Sequence, residues 1–142
     1  MTVRAAGLVA LVAFVLTGCG GGDPSPQSVV RAWSEAVNSD DNDGAARLFA
    51  EGARVVQGAS TRRLETFAEA QAWNAGLPCA GRILSISERG DTVRATFLLG
   101  NRRRSRCDGP GARALALVRV RDGKIVLWHQ LESPIEQEEE PV

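Results

Sequence analysis

The hydrophobic period changes once along this chain, near Pro78, and that change restricts the fold more than any other feature. Before it, apolar residues recur at helical spacing between capping signals. Ser25-Pro26 reads as an N-cap followed by proline at the first helical position. Val30, Trp33 and Val37 then share one face of a helix expected to reach about Asn38. Asp41 or Asn42 caps a second helix expected through Ala50, burying Leu48 and Phe49. Arg54–Gln57 and Arg62–Leu64 read as short strands about Gly58-Ala59-Ser60. Thr66-x-x-Glu69 is a capping box, and its helix should end near Ala75, before Gly76 and Pro78. After Pro78 the period falls to two. Arg82–Glu88 and Thr92–Leu99 flank the turn Arg89-Gly90-Asp91, and Val93, Ala95, Phe97 and Leu99 form one apolar face. Ala112–Arg121 and Lys124–Leu131 flank Asp122-Gly123, a two-residue hairpin signal. Three helices followed by a four-strand antiparallel meander predict an α+β fold.

The N-terminus places that domain in a compartment. Arg4 precedes an apolar run from Ala5 to Leu16, about a dozen residues long, which suits a signal-peptide core and is too short to span a bilayer. The run ends in Leu16-Thr17-Gly18-Cys19, which resembles the bacterial lipobox. That resemblance implies cleavage before Cys19 and a diacylglycerol on its sulfur. Each buried methylene contributes about 0.8 kcal/mol, so two acyl chains suffice as an anchor. No later stretch approaches 18 apolar residues, so the lipid is expected to be the only anchor, on the extracytoplasmic side of the cell membrane. The expected organisation is a signal peptide (1–18), the lipidated cysteine with a flexible tether (19–26), one domain (27–133) and an acidic tail without regular structure (134–142). Removing residues 1–18 from the 142 leaves 124, enough for one domain.

Of the three cysteines, Cys79 and Cys107 remain for the domain. Export puts them in an oxidising compartment, where a disulfide is the default pairing and two free thiols the alternative. Such a bridge is worth about 3–4 kcal/mol in the chain-entropy model. No His or Cys spacing suggests a metal site, and no cofactor is implied. With 17 basic and 17 acidic residues, the charge demands neither nucleic acid nor an acidic substrate. Arg102-Arg103-Arg104 with Arg106 forms a basic loop suited to anionic headgroups or an acidic partner. It also reads as a solvated loop neutralised by Glu136 and Glu138–Glu140. Without interleaved aromatic residues it is a poor nucleic-acid footprint.

The order of elements resembles the nuclear transport factor 2-like fold, also called SnoaL-like or ketosteroid-isomerase-like. The resemblance runs over about Gln27–Glu132 and is carried by Val29-Val30, Trp33, Asn38, Asp43-Gly44, Leu48-Phe49-Ala50, Ala53 and Val55, then Thr66, Glu69-Ala70, Trp73, and Asp122-Gly123-Lys124-Ile125. It implies a cone: a curved antiparallel sheet with the three helices packed on its concave face around a pocket. For the isomerase branch it implies a carboxylate base, a tyrosine and a protonated acid. Those positions fall on Gln57, Trp33 and Ala116. A glutamine accepts no proton at neutral pH, alanine carries no donor, and the chain has no tyrosine. Isomerase chemistry is therefore disfavoured.

By alternation, Ala114, Ala116, Val118 and Val120, then Val126, Trp128, Gln130 and Glu132, should face into the cone with Trp33 and Phe97. Trp33, Gln57, Phe97, Ala116, Val118, Trp128 and Gln130 make up the candidate pocket, apolar with a few polar groups. The same residues also read as a filled core. The expected role is a non-catalytic domain that binds a small apolar ligand or a protein partner. The alternative is an enzyme of another branch of the fold, isomerase-, dehydratase- or hydrolase-like, with Glu132 as acid or base. His129 alternates to the convex side, where a lone histidine is structural. Leu115, Leu117, Ile125 and Leu127 on that face would suit a homodimer. One expectation is checked directly: in detergent phase separation the mature protein enters the detergent phase, and Cys19→Ala remains in the aqueous phase.

Overall fold

A computed structural model of the chain describes residues 22–132. The expected signal peptide, Cys19, the first residues of the tether (20–21) and the acidic tail with its glutamates lie outside those residues. Among the described residues no helix is long and apolar enough to cross a membrane.

Local capping chemistry starts each helix. Helix α1 spans Pro26–Asn38, and its cap Ser25 accepts a bond from the Ser28 N–H at 3.2 Å. Helix α2 is Asn42–Arg47, capped by Asp41, whose carboxylate accepts from the Gly44 N–H at 2.8 Å. Helix α3 spans Phe67–Ala75. Its cap Thr66 accepts from the Glu69 N–H at 3.2 Å, and Glu69 reaches back to the Glu65 N–H at 2.6 Å. A side-chain cap of this kind is worth about 1 kcal/mol.

The strands are β1 Phe49–Gln57, β2 Ser60–Leu64, β3 Cys79–Arg89, β4 Thr92–Asn101, β5 Arg113–Arg121 and β6 Lys124–Leu131. They form one sheet in the order β2-β1-β6-β5-β4-β3. The four-strand meander is as expected, and β1 joins it by pairing parallel to β6. That parallel pair lay outside the expectation, which treated the hairpin as separate. Helix α2 is shorter than expected: Phe49 and Ala50 are strand, not helix. The Leu48 carbonyl accepts from the Ile125 N–H at 2.7 Å, so the β6 edge draws the chain out of the helix.

A second correction concerns β6. The pairing register shifts between Arg119 and Val120, where the chain carries a bulge. The extra residue is Val126 in β6, left without a partner between Leu127 and Ile125, and it turns Ile125 into the core, fully buried, instead of onto the convex face expected from strict alternation. Val126, expected inside, is only half-buried. Leu115 is buried, and Leu117 and Leu127 are half-buried.

The basic loop is also not what its composition suggested. Arg102 is 5% exposed. Its Nε donates to Asp40 at 2.7 Å, Nη1 donates to the carbonyls of Asn74 (2.7 Å) and Leu77 (2.9 Å), and Nη2 donates to Asn42 Oδ1 (2.7 Å). One guanidinium thus ties the end of β4 to the α1–α2 link and to the end of α3. Asp40 adopts a left-handed φ of 57° and also accepts the Arg104 N–H at 3.0 Å. Arg103, Arg104 and Arg106 stay exposed. The loop is pinned a second time, because Cys79 and Cys107 are disulfide-bonded with their Cα atoms 4.4 Å apart. Removing one partner of a buried, hydrogen-bonded ion pair strands the other. Arg102→Leu is therefore expected to lower stability by about 3–5 kcal/mol in urea unfolding. Arg103→Leu should stay within about 0.5 kcal/mol.

Candidate functional site

Helix α1 lies across the sheet and leaves a cavity of about 250 Å³ beneath its C-terminal half. Two polar side chains fix that half to β3. Ser34 Oγ donates to the Gly81 carbonyl at 3.0 Å. Asn38 takes both backbone groups of Gly81, donating to its carbonyl at 3.1 Å and accepting its N–H at 2.8 Å. Gly81 fits closely here: a Cβ on it would lie 3.1 Å from Phe97 Cβ, and the ring would have to give by a few tenths of an ångström. The ring that forms one wall of the cavity occupies that space.

The apolar lining is largely aromatic. Trp33 and Phe97 pack edge to face with centroids 6.0 Å apart, and Trp33 meets Trp128 at 5.7 Å. Trp73 lies behind, 5.1 Å from Trp128 and 5.5 Å from Phe49. Of the seven candidates, Trp33, Gln57, Phe97, Trp128 and Gln130 line the cavity. Ala116 and Val118 do not: at 1% and 0% exposure they belong to the packed core. A filled core and a cavity thus share the face.

The polar lining comes from strand ends. The parallel register sets Val55 opposite Trp128 and Gln57 opposite Gln130, so these side chains share a face. Gln57 Oε1 accepts from Trp73 Nε1 at 3.2 Å, and Gln57 Nε2 reaches Gln130 Oε1 at 3.5 Å. Trp33 Nε1 donates to Asn74 Oδ1 at 2.8 Å, and Asn74 Nδ2 donates to the Ala70 carbonyl at 2.8 Å. Trp128 Nε1 is buried with no hydrogen-bond partner.

Asp108 is the one ionisable side chain in the lining, on the exposed loop at the mouth. Its Oδ1 lies 3.3 Å from Cys79 Sγ, a contact and not a hydrogen bond, because the sulfur is in the disulfide. The same bond removes the two thiolates from the Cys79, Cys107 and Asp108 cluster, so it is a poor metal site. Glu132 is exposed beyond β6 and His129 is half-buried, and neither lines the cavity. The sequence reading missed Asn74, Ser34, Asn38 and Asp108. Asn74 had a signal: a polar residue one turn after Ala70 and beside Trp73, on the buried face of α3.

The cavity opens at one end of the sheet, where β4 and β6 finish and β3 and β5 begin. The chain enters at the other end. There the Gln27 N–H donates to Glu88 at 2.8 Å, and a Cβ on Gly123 would lie 3.1 Å from Pro24 Cδ. Asp91, at the same turn end, has its carboxyl held below the ordinary 3.8, first by the hydrogen bond from Thr92 and then by Arg121 and Arg119.

The family model of the SnoaL-like domain matches residues 30–128. Against curated proteins the sequence finds no match. Solved structures share the fold at low identity. A nuclear transport factor 2-like protein of unknown function from Cytophaga hutchinsonii has TM-score 0.64 and 15% identity, over 78% of this chain and 91% of that one. A protein from Sinorhizobium meliloti, proposed to be a polyketide cyclase, has TM-score 0.62 and 16% identity, over 73% and 94%. A protein of Catenulispora acidiphila with a ketosteroid isomerase-like fold, in complex with trimethylamine, has TM-score 0.60 and 19% identity, over 78% and 88%.

The two cavity indoles differ in one testable way. Trp33→Phe leaves Asn74 Oδ1 without its donor and is expected to cost about 1–3 kcal/mol. Trp128→Phe breaks no protein hydrogen bond and should cost less, with urea unfolding of both variants giving the comparison.

Proposed function

The chain belongs to the SnoaL-like domain family, and from that premise we propose that it is a membrane-anchored extracytoplasmic lipoprotein whose cone cavity binds a small, largely apolar ligand without transforming it. One observation carries the binding reading. A cavity of about 250 Å³ stays open among Trp33, Phe97 and Trp128, although a domain of this size has few aromatic rings to fill its core. Small-molecule sites combine such apolar walls with a few placed polar groups.

The non-catalytic part rests on chemistry. The family resemblance sets the isomerase base at Gln57, and an amide shuttles no proton. Trp73 moreover engages its carbonyl oxygen. Asp108 sits at the solvent-exposed mouth, far from an ideal base, which needs reach to the substrate and a tuned environment.

The anchor reading adds an orientation. A lipid on Cys19, a few residues before Pro24, directs the turn end of the sheet toward the bilayer. The cavity mouth at the opposite end then opens away from it, toward the aqueous side.

Native mass spectrometry of the mature protein from its own host tests the reading. A noncovalent small-molecule adduct is expected, and Ala114→Trp, which fills the lining, should lose it. Absence of any adduct from the wild type under conditions that keep the fold intact would count against ligand binding. A chemically altered molecule released over time would favour the enzyme reading.

A further inference from the structure

Resting on the reading of the cavity as a ligand site, we propose that its ligand is a neutral molecule held through a hydrogen-bond-accepting oxygen, such as a carbonyl, by the Trp128 indole N–H and the Gln57 amide. Three observations converge on that chemistry. Trp128 is 6% exposed and lines the cavity, yet its Nε1 finds no acceptor in the protein. Buried donors are almost always paired, so an unpaired one on a cavity-lining ring is a place for an acceptor; Nε1 is closed to solvent in this structure, so a ligand oxygen reaches it by displacing the packing around the ring. The neighbouring rings of Trp33 and Trp73 offer only aromatic faces, which accept far more weakly than a carbonyl oxygen.

The second observation is the orientation of Gln57. Trp73 Nε1 donates to its Oε1 at 3.2 Å, which fixes which end of the amide is which. The NH2 end is left toward Gln130, whose Oε1 lies at 3.5 Å, the outer limit of a hydrogen bond. An amide nitrogen carries two hydrogens, so Gln57 retains donating capacity there. Gln57 and Trp128 share one face of the β1–β6 pair, one pleat apart. The Gln57 amide and the Trp128 indole thus put two donor groups on that face, beside the Gln130 amide.

The third observation is charge. No Lys, Arg or His lines the cavity, and the single carboxylate, Asp108, stands at the mouth. An anion would meet no cation inside and a negative charge on entry. A cation would meet Asp108 first and then donors that repel it. A neutral acceptor satisfies both Trp128 and Gln57 and leaves its apolar body against Trp33 and Phe97.

A matched pair of probes tests the inference. Cyclohexanone and methylenecyclohexane differ by a carbonyl oxygen against a methylene, with almost the same shape. Each is titrated into the ¹⁵N-labelled mature chain carrying Cys19→Ser, disulfide intact, and followed through the three tryptophan indole N–H signals. Cyclohexanone is expected to bind roughly tenfold more tightly and to move the Trp128 signal downfield. Trp128→Phe should reduce that preference while methylenecyclohexane binds as before. If this variant fails to fold, the wild-type comparison decides alone. Equal affinities with an unmoved Trp128 signal overturn the inference and leave the cavity as a ligand site. Tighter binding of tetramethylammonium than of cyclohexanone also overturns it, in favour of a cation seated on the rings. If none of the three perturbs a cavity residue, the ligand-site reading falls and takes the inference with it.

Discussion

The guanidinium of Arg102 is the contact on which the cavity's shape depends. It is a full charge removed from water, and such a charge is tolerated only when paired and hydrogen-bonded. Asp40 supplies the counter-charge, Asn42 a second side-chain acceptor, and the carbonyls of Asn74 and Leu77 the other two. The Asn74 carbonyl is in the last turn of α3, where a helix runs out of internal partners, and the Leu77 carbonyl follows just beyond its C-cap Gly76. Arg102 therefore caps α3 from a distant strand end. Asn74 then passes the constraint on: its side chain, tied to the Ala70 carbonyl, accepts the Trp33 indole N–H. A cation at the end of β4 thereby sets the position of an aromatic wall on α1.

The parallel pairing of β1 with β6 supplies the other half of the site. Without it, β1 and β2 would be a two-stranded hairpin, marginal on its own. With it, Gln57 is brought opposite Gln130, 73 residues away in sequence, and one pleat from Trp128. Gly81 makes a comparable contribution on the opposite side of the cavity. It lets Asn38 take both of its backbone groups while the Phe97 ring fills the space a side chain would need. The cavity is what remains when α1 is held at its C-terminal half by Asn38 and Ser34 and its wall ring is held by Asn74.

How much of this was legible follows the range of the interaction. Ser25, Asp41 and Thr66 act within one turn of chain, and all three caps stand where the sequence puts them. Strand alternation carried Ala114, Trp128 and Gln130 to the cavity and Val118 and Ala116 to the core beneath it. It failed at Ile125, because a bulge changes parity and nothing local announces one at Val126. It failed at Phe49 for a similar reason: helical spacing continued through Ala50, but the β6 edge competed for the backbone and won. Arg102 was read with its neighbours as part of a charged loop, since composition cannot single out the one arginine with four acceptors waiting for it. Asn74 was passed over because its acceptor role appears only once Trp33 is beside it.

The contrast between the two cavity indoles bears on what kind of site this is. A protein that needed only a packed core would gain by satisfying both N–H groups or by using phenylalanine at one position. Trp33 is satisfied, through a path of hydrogen bonds that reaches back to Arg102. Trp128 is not, although it is equally buried and its ring is equally well packed. The rest of the fold shows that acceptors are supplied where structure requires them, even to a buried guanidinium. The ligand proposed above would supply that acceptor, reaching Nε1 by displacing the packing that closes it off. Under the same proposal Gln57 belongs with Trp128, because an amide N–H can hold an oxygen without moving a proton. Recognition of a carbonyl and chemistry upon it are separable, and the proposed reading asks this cavity only for the first.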